Sequence, residues 1–313
     1  MYEIEINRNS HLIDPVFHIW GWEIPVYLFL GGVAAGIMIF SALLHRQLKP
    51  EQQSRSALLL PWAVPVLLGV GMLALFLDLE HRWYAFRFYL TFEVTSPMSW
   101  GSWILLAVVP ASIGLGLLGL SEDDVRRLTR RGPLAWFAGL IMATHRAALR
   151  HRRALGTANI VLGIALGVYT GVLLSTLAAR PIWNSAVLGP LFLVSGISTG
   201  AALMMLLPLA HAEHSRLRRW DMLAIAAELT LIVLFLITLS NGGDSGRGAA
   251  KLLLGGTFTA PFWGLVVLAG LLVPFVLEAL EGVRKLPPTR IAATLLLVGG
   301  LALRWIIVLA GQA

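Results

Sequence analysis

Apolar residues in this sequence come in eight long blocks separated by short polar stretches. The blocks lie at about 24–44, 57–77, 99–120, 157–178, 185–209, 222–240, 261–280 and 291–310. Each approaches the ~20 residues that a helix needs to cross ~30 Å of hydrocarbon. A helix satisfies its own backbone polar groups in lipid, so each block predicts a membrane-spanning helix. Pro65, Pro110 and Pro274 fall inside blocks, where membrane helices tolerate kinks. A further run, 133–144 (PLAWFAGLIMAT), is short and has arginines on both sides. Arg126, Arg127, Arg130 and Arg131 precede it; Arg146, Arg150, Arg152 and Arg153 follow it. Crossing would carry one cluster to the wrong side, so this run predicts a short helix lying in the interface. The fold class is all-α integral membrane with eight transmembrane helices.

Charge along the sequence sets the orientation. Of 24 Lys and Arg residues, 17 fall in the loops after helices one, three, five and seven. Six fall in the N-terminal segment and the loops after helices two, four and six, and Arg304 lies inside helix eight. The positive-inside rule then predicts both termini on the extracytoplasmic side. The opening MYEIEINRNSHLIDP lacks the basic region and adjoining apolar core of a cleavable leader, so helix one is expected to stay in place.

The two halves of the chain echo each other. Leu28-Phe29-Leu30 returns as Leu191-Phe192-Leu193, and Thr95-Ser96-Pro97 before Trp100 returns as Thr259-Ala260-Pro261 before Trp263. The offsets, 163 and 164, suggest duplication of a four-helix unit in parallel orientation. The expected organisation starts with an extracytoplasmic segment, 1–22. Residues 23–156 hold helices one to three of the first four-helix bundle and a long cytoplasmic loop, 121–156. Helix four and its turn occupy 157–184, and 185–313 form the second bundle.

Composition narrows the function classes. Hydrophobic residues make up 57% of the chain, charged residues 13%, and the mean hydropathy is +0.77, which no soluble domain of 313 residues would need. The net charge of +7 sits in short loops rather than along one stripe, which argues against a nucleic-acid partner. Lacking cysteine, the protein has no means to form disulfides, ligate an iron–sulfur cluster through thiolates or use a catalytic thiol. The eight histidines (11, 18, 45, 81, 145, 151, 211 and 214) read as lying at helix ends or in loops. A haem held between helices needs ligands projecting from within spans, so haem is not expected. His211 and His214 are spaced i, i+3 beside arginines and read as solvated surface rather than a metal site.

The unusual residues gather on the predicted outer side. Eight of eleven tryptophans lie there: Trp20, Trp22, Trp83, Trp100, Trp103, Trp183, Trp263 and Trp305. An aromatic belt is the plain alternative, but belts form at both interfaces. Glu23 opens helix one and Asp78 closes helix two; ionisable groups there either line a protein interior or are simply solvated at the interface. Tyr27 and Tyr169 lie towards the same face, and each buried hydroxyl needs a partner, if only a backbone carbonyl. Glu228, read as roughly two turns in from the inner face, and Arg304 in helix eight are candidates for a proton path or for packing ion pairs.

These residues form motifs that resemble a known family. They are Thr95-Ser96-Pro97-Met98-Ser99-Trp100-Gly101-Ser102-Trp103, Arg180-Pro181-Ile182-Trp183-Asn184, Leu191-Phe192-Leu193-Val194-Ser195 with Ser198-Thr199-Gly200, and Arg304-Trp305 with Gly311-Gln312. Tyr27-Leu28-Phe29-Leu30-Gly31-Gly32 and Asp78-Leu79 fit as well, and together they resemble the NrfD family of polysulfide reductase membrane subunits over nearly the whole chain. The resemblance implies two four-helix bundles with a quinone (menaquinone or ubiquinone) pocket near the outer surface of a prokaryotic cytoplasmic (inner) membrane. It implies a ferredoxin-like iron–sulfur subunit docked on the outer face, with a molybdopterin-type or other catalytic subunit beyond it. The protein would then be a subunit of a quinone-linked oxidoreductase complex that does not itself hold the catalytic centre.

By that resemblance Tyr27 and Tyr169 bind the quinone, and Glu23 and Asp78, singled out by their position, are expected beside it. Thr95, Ser96, Trp100, Arg180, Asn184 and Ser198 line or support the site. Helix one of the polysulfide reductase branch carries a histidine where this chain has Tyr27, which keeps a donor but cannot become an imidazolium. Protons would pass to Asp78 or Glu23, with Glu228 and Arg304 extending a path inward. A secondary transporter and a purely structural anchor are the competing readings.

Overall fold

A computed structural model of the chain describes residues 20–48, 52–79, 81–130, 137–177, 179–284 and 289–313. The expected segment 1–22 falls mostly outside these residues, as do His11, His18 and the first four residues of the 133–144 run. All described secondary structure is helical. Eight helices are long and apolar enough to cross a membrane: α1 Glu23–Gln47, α2 Arg55–Asp78, α3 Pro97–Leu118, α4 Arg152–Ser175, α5 Leu188–Met205, α6 His211–Ser240, α7 Thr259–Arg284 and α8 Arg290–Ala310. Each coincides with one of the eight apolar blocks.

Boundaries differ where polar residues continue a helix. The largest difference is in α6, which begins at His211 rather than near 222. Its first three turns carry His214, Arg218 and Asp221, too polar to count as a span by hydropathy. Glu228 therefore lies 17 residues into α6, about 25 Å along its axis, and not two turns from its start. The interfacial helix forms over Ala138–Arg150, later than 133–144, because its arginine-bearing end is helical too. It packs on α3, and His145 is buried inside it with Nδ1 3.0 Å from the Leu117 carbonyl, so this histidine is not at a helix end. A helix over Glu122–Arg130 opens with reciprocal capping: Ser121 Oγ accepts from the Asp124 amide, and Asp124 Oδ2 accepts from the Ser121 hydroxyl and amide. These bonds hold the Asp124 carboxyl below its ordinary range. A further short helix, Gly243–Leu254, follows α6 between the sixth and seventh apolar blocks.

The centre of the molecule is the crossing of α1 and α5, the two most buried spans. Gly32 and Gly36 of α1 face Gly196 and Gly200 of α5, each pair separated by 164 positions. A Cβ on Gly200 would stand 2.6 Å from Gly36 Cα, and one on Gly196 2.8 Å from the Gly32 carbonyl oxygen. Small residues at i and i+4 on both helices let the backbones touch, the usual way membrane helices gain dispersion contact without a hydrophobic driving force. Around this crossing, α2 and α4 pack on α1, α3 on α4, α6 and α8 on α5, and α7 on α8, while α4 also contacts α5 and α8 contacts α1. Over Phe262–Leu272, α7 winds as a π-helix, and Gly270 there meets Gly299 of α8 backbone to backbone.

Candidate functional site

Tyr27 lies one turn into α1 and Tyr169 under two turns from the end of α4, so both stand at the same end of the bundle. Both are buried, at 3% and 6% exposure. Their side chains meet through their hydroxyls. Among the described residues no backbone carbonyl accepts from either, so the plain partner allowed by the sequence is not the one found. Two glycines make the space. The Tyr27 ring packs on Gly71 of α2, and a Cβ on Gly101 of α3 would fall on the Tyr169 phenol. Four helices thus converge on the two tyrosines. Tyr89, in the α2–α3 connection, lies near both, and burial pushes its phenol above the ordinary range.

Glu23 and Asp78 stand close to one another at the ends of α1 and α2, half-buried. Asp78 borders a cavity of about 530 Å³ with Leu77, His81, Arg82 and Trp83. Arg82 donates to the Leu77 and Leu79 carbonyls, at 2.7 and 3.3 Å, and so closes the C-terminus of α2 with a cation.

The loop before α3 is built to hold that helix in place. Thr95 Oγ1 donates to Glu93 at 2.9 Å, and the Ser96 carbonyl accepts from the Ser99 and Trp100 amides. The Trp100 indole donates to the Val94 carbonyl at 2.7 Å. The fold of this loop delivers Gly101, next to Trp100, to the tyrosine pair.

Arg180 and Asn184 serve a different junction. Arg180 donates to the Gln312 carbonyl at 3.4 Å, and its own carbonyl accepts from the amides of Trp183 and Asn184, whose side chain is exposed. Trp183 donates to the Ile307 carbonyl at 2.9 Å and lies 5.0 Å from the Trp20 ring. Gln312 holds the Trp20 backbone with both ends of its amide, at 2.9 and 3.0 Å. The α4–α5 turn, the start of α1 and the end of α8 are clasped together by these contacts.

A second polar group fills the other side of the α1–α5 crossing. Arg304 is fully buried, and its guanidinium donates to the Leu28, Gly300 and Phe192 carbonyls and to Ser195 Oγ, at 2.8 to 3.2 Å. The Phe29 and Phe192 rings flank it at 5.9 and 5.2 Å, so the repeated Leu-Phe-Leu motif of both halves forms its socket. Glu228 lies against Ser195 and near Arg304. Ser198, one turn further along α5, lies instead beside Asp221 of α6, which adjoins Glu278 of α7. The sequence reading missed Asp221, Glu278, Tyr89 and Gly71, and named Ser195 and Gly101 only as motif residues, with no role at a site. The spacing of seven between Asp221 and Glu228 puts both on one face of a helix, a signal visible only once α6 is known to start at His211.

Comparisons with known proteins identify the family. Residues 10–313 match the family model described as polysulphide reductase, NrfD. The protein is similar to protein NrfD of Escherichia coli (strain K12), at 32% identity over 94% of this chain and 95% of the relative. It is 31% identical to a polysulfide reductase chain of Wolinella succinogenes over 94% of both sequences. It is 25% identical to a tetrathionate reductase subunit of Salmonella typhimurium, over 73% of this chain and 59% of that relative. With eight spanning helices and a match over nearly its whole length, this chain is an integral membrane protein and belongs to the NrfD family.

Proposed function

We propose that this protein is the quinone-exchanging membrane subunit of a respiratory reductase complex, with Tyr27 and Tyr169 as the quinone-binding pair. The relatives named for polysulfide reductase and tetrathionate reductase are, by those names, parts of multi-subunit reductases. The observation that carries the quinone reading is the pair of buried phenols meeting each other at the junction of four helices. A phenol donates and accepts, so the pair can open to grip a carbonyl or hydroxyl oxygen without leaving a buried group unpaired.

A quinol bound there supplies two electrons and two protons. The protein's own residues account for binding and for the protons. Tyr27 and Tyr169 hold the head group, Gly71 and Gly101 keep the rings in register, and Asp78 and Glu23 accept protons at the solvent-side end. Electrons pass to a ferredoxin-like iron–sulfur subunit on the same face, since this chain has no cysteine to ligate a cluster. A molybdopterin-type catalytic subunit beyond it would set the terminal substrate. On this reading the tyrosine end faces the extracytoplasmic side of the inner membrane.

The test is quinol-linked turnover of the purified complex carrying Tyr169→Phe or Asp78→Asn. Losing one hydroxyl bond to the head group is expected to lower turnover about tenfold, with the complex still assembled. Parental turnover in Tyr169→Phe would remove the tyrosine pair from the mechanism, and parental turnover in Asp78→Asn would remove that carboxylate. Assembly without any response to a quinone analogue would leave a structural anchor.

A further inference from the structure

Two carboxyl groups meet inside the span region with no cation hydrogen-bonded to either among the described residues. Asp221 of α6 is 0% exposed and Glu278 of α7 is 2% exposed, and they adjoin each other and Ser198 of α5. None of the four carboxylate oxygens, nor Ser198 Oγ, reaches a hydrogen-bond partner among the described residues. The Arg218 guanidinium beside Glu278 is bonded to Glu281 instead, at 3.4 Å, and His214 Nδ1 lies 3.4 Å from the same oxygen. Two adjacent carboxylates cannot both stay ionised in such a place: each pays desolvation and the two repel. One proton between them removes most of that cost and turns one oxygen into a donor for the other.

A cavity opens one helical turn from the pair. Glu281, one turn from Glu278 on α7, lines a cavity of about 720 Å³ together with His211, His214, Arg218 and Arg290, at the arginine-rich face. In the other direction the polar residues continue through Ser198 and Ser195 to Glu228, about 10 Å further along α6. There they stop at Arg304, whose donors are taken by three carbonyls and Ser195. A fixed buried cation is an electrostatic barrier to proton passage.

We propose that Asp221 and Glu278 form a proton-binding site inside the membrane that exchanges with the arginine-rich face through the cavity lined by His214, Arg218 and Glu281. The site stands apart from the quinone reading, because it holds its proton whether or not a quinone is bound. Infrared spectroscopy of the purified full-length protein, free of quinone, tests it. At neutral pH the parent is expected to have a carbonyl-stretch band of a protonated carboxylic acid, shifted in heavy water, that Asp221→Asn and Glu278→Gln each abolish or move. Ser198→Ala, a milder change, is expected to shift the band's frequency and keeps the test alive if a carboxyl variant does not fold. In sealed vesicles of one orientation, an external pH step should act at once only when the arginine-rich face is outward. A band indifferent to all three substitutions would overturn the proposal. So would a band that vanishes at neutral pH on adding sodium chloride, which would assign the pair to a sodium ion, or one that responds first from the opposite face.

Discussion

Arg304 is the largest fully buried side chain among the described residues, and a guanidinium in such surroundings persists only when its donors are occupied. Three of its acceptors are backbone carbonyls at the core of the α1–α5–α8 contact, so the side chain ties three helices together as well as balancing Glu228. Arg304→Met is expected to strip those bonds and leave Glu228 without a nearby cation, lowering thermal stability in detergent by about 3 kcal/mol or more. Arg304→Lys keeps the charge but not the planar fork and is expected to recover only part of the loss. Unfolding midpoints of the two variants check both statements. The sequence marked Arg304 as an oddity; it did not reveal the socket, because carbonyls and phenylalanine faces have no signature at that distance along the chain. Asp221 was illegible for a different reason. It stands among six charged or titratable neighbours between His211 and Arg219, and such a run reads as a loop until tertiary packing buries one face of it.

At the scale of elements, hydropathy located every span, because bilayer thickness fixes how long an apolar run must be. Which helices touch is decided by small residues. Gly200→Ala is expected to destabilise the protein by about 1–3 kcal/mol, since the added Cβ has only the α1 backbone to meet and helices cannot separate locally. Gly69→Ala is the control. Nothing lies within 4 Å of a Cβ there, and the gain in helix propensity is expected to leave stability equal or higher, by up to about 1 kcal/mol. A paired thermal-unfolding measurement separates crossing geometry from propensity. The same logic applies to Gly101: adding a methyl group there is expected to displace Tyr169 and weaken quinone-analogue binding severalfold while helical content stays unchanged.

For the whole molecule, charge asymmetry predicts orientation, and the absence of cysteine makes that easy to test. Asn184→Cys, on an exposed turn at the tyrosine end, is expected to react with a membrane-impermeant maleimide in intact cells. Asp123→Cys, at the arginine-rich end, is expected to react only in inverted vesicles. Labelling in the reverse pattern would invert the topology. By itself the sequence determined the number of spans and the charge difference between their two ends, since both follow from local composition against a slab of fixed thickness. Its motifs also pointed to the family. The tertiary structure alone decided which polar residues meet. It joined Tyr27 to Tyr169 across 142 positions of sequence, assigned Arg180 to a clasp on the C-terminus, and brought two unremarked carboxyls together beneath the α1–α5 crossing. Those meetings depend on which face each helix turns inward, and that is set by glycine contacts between helices rather than by the apolar character all eight share.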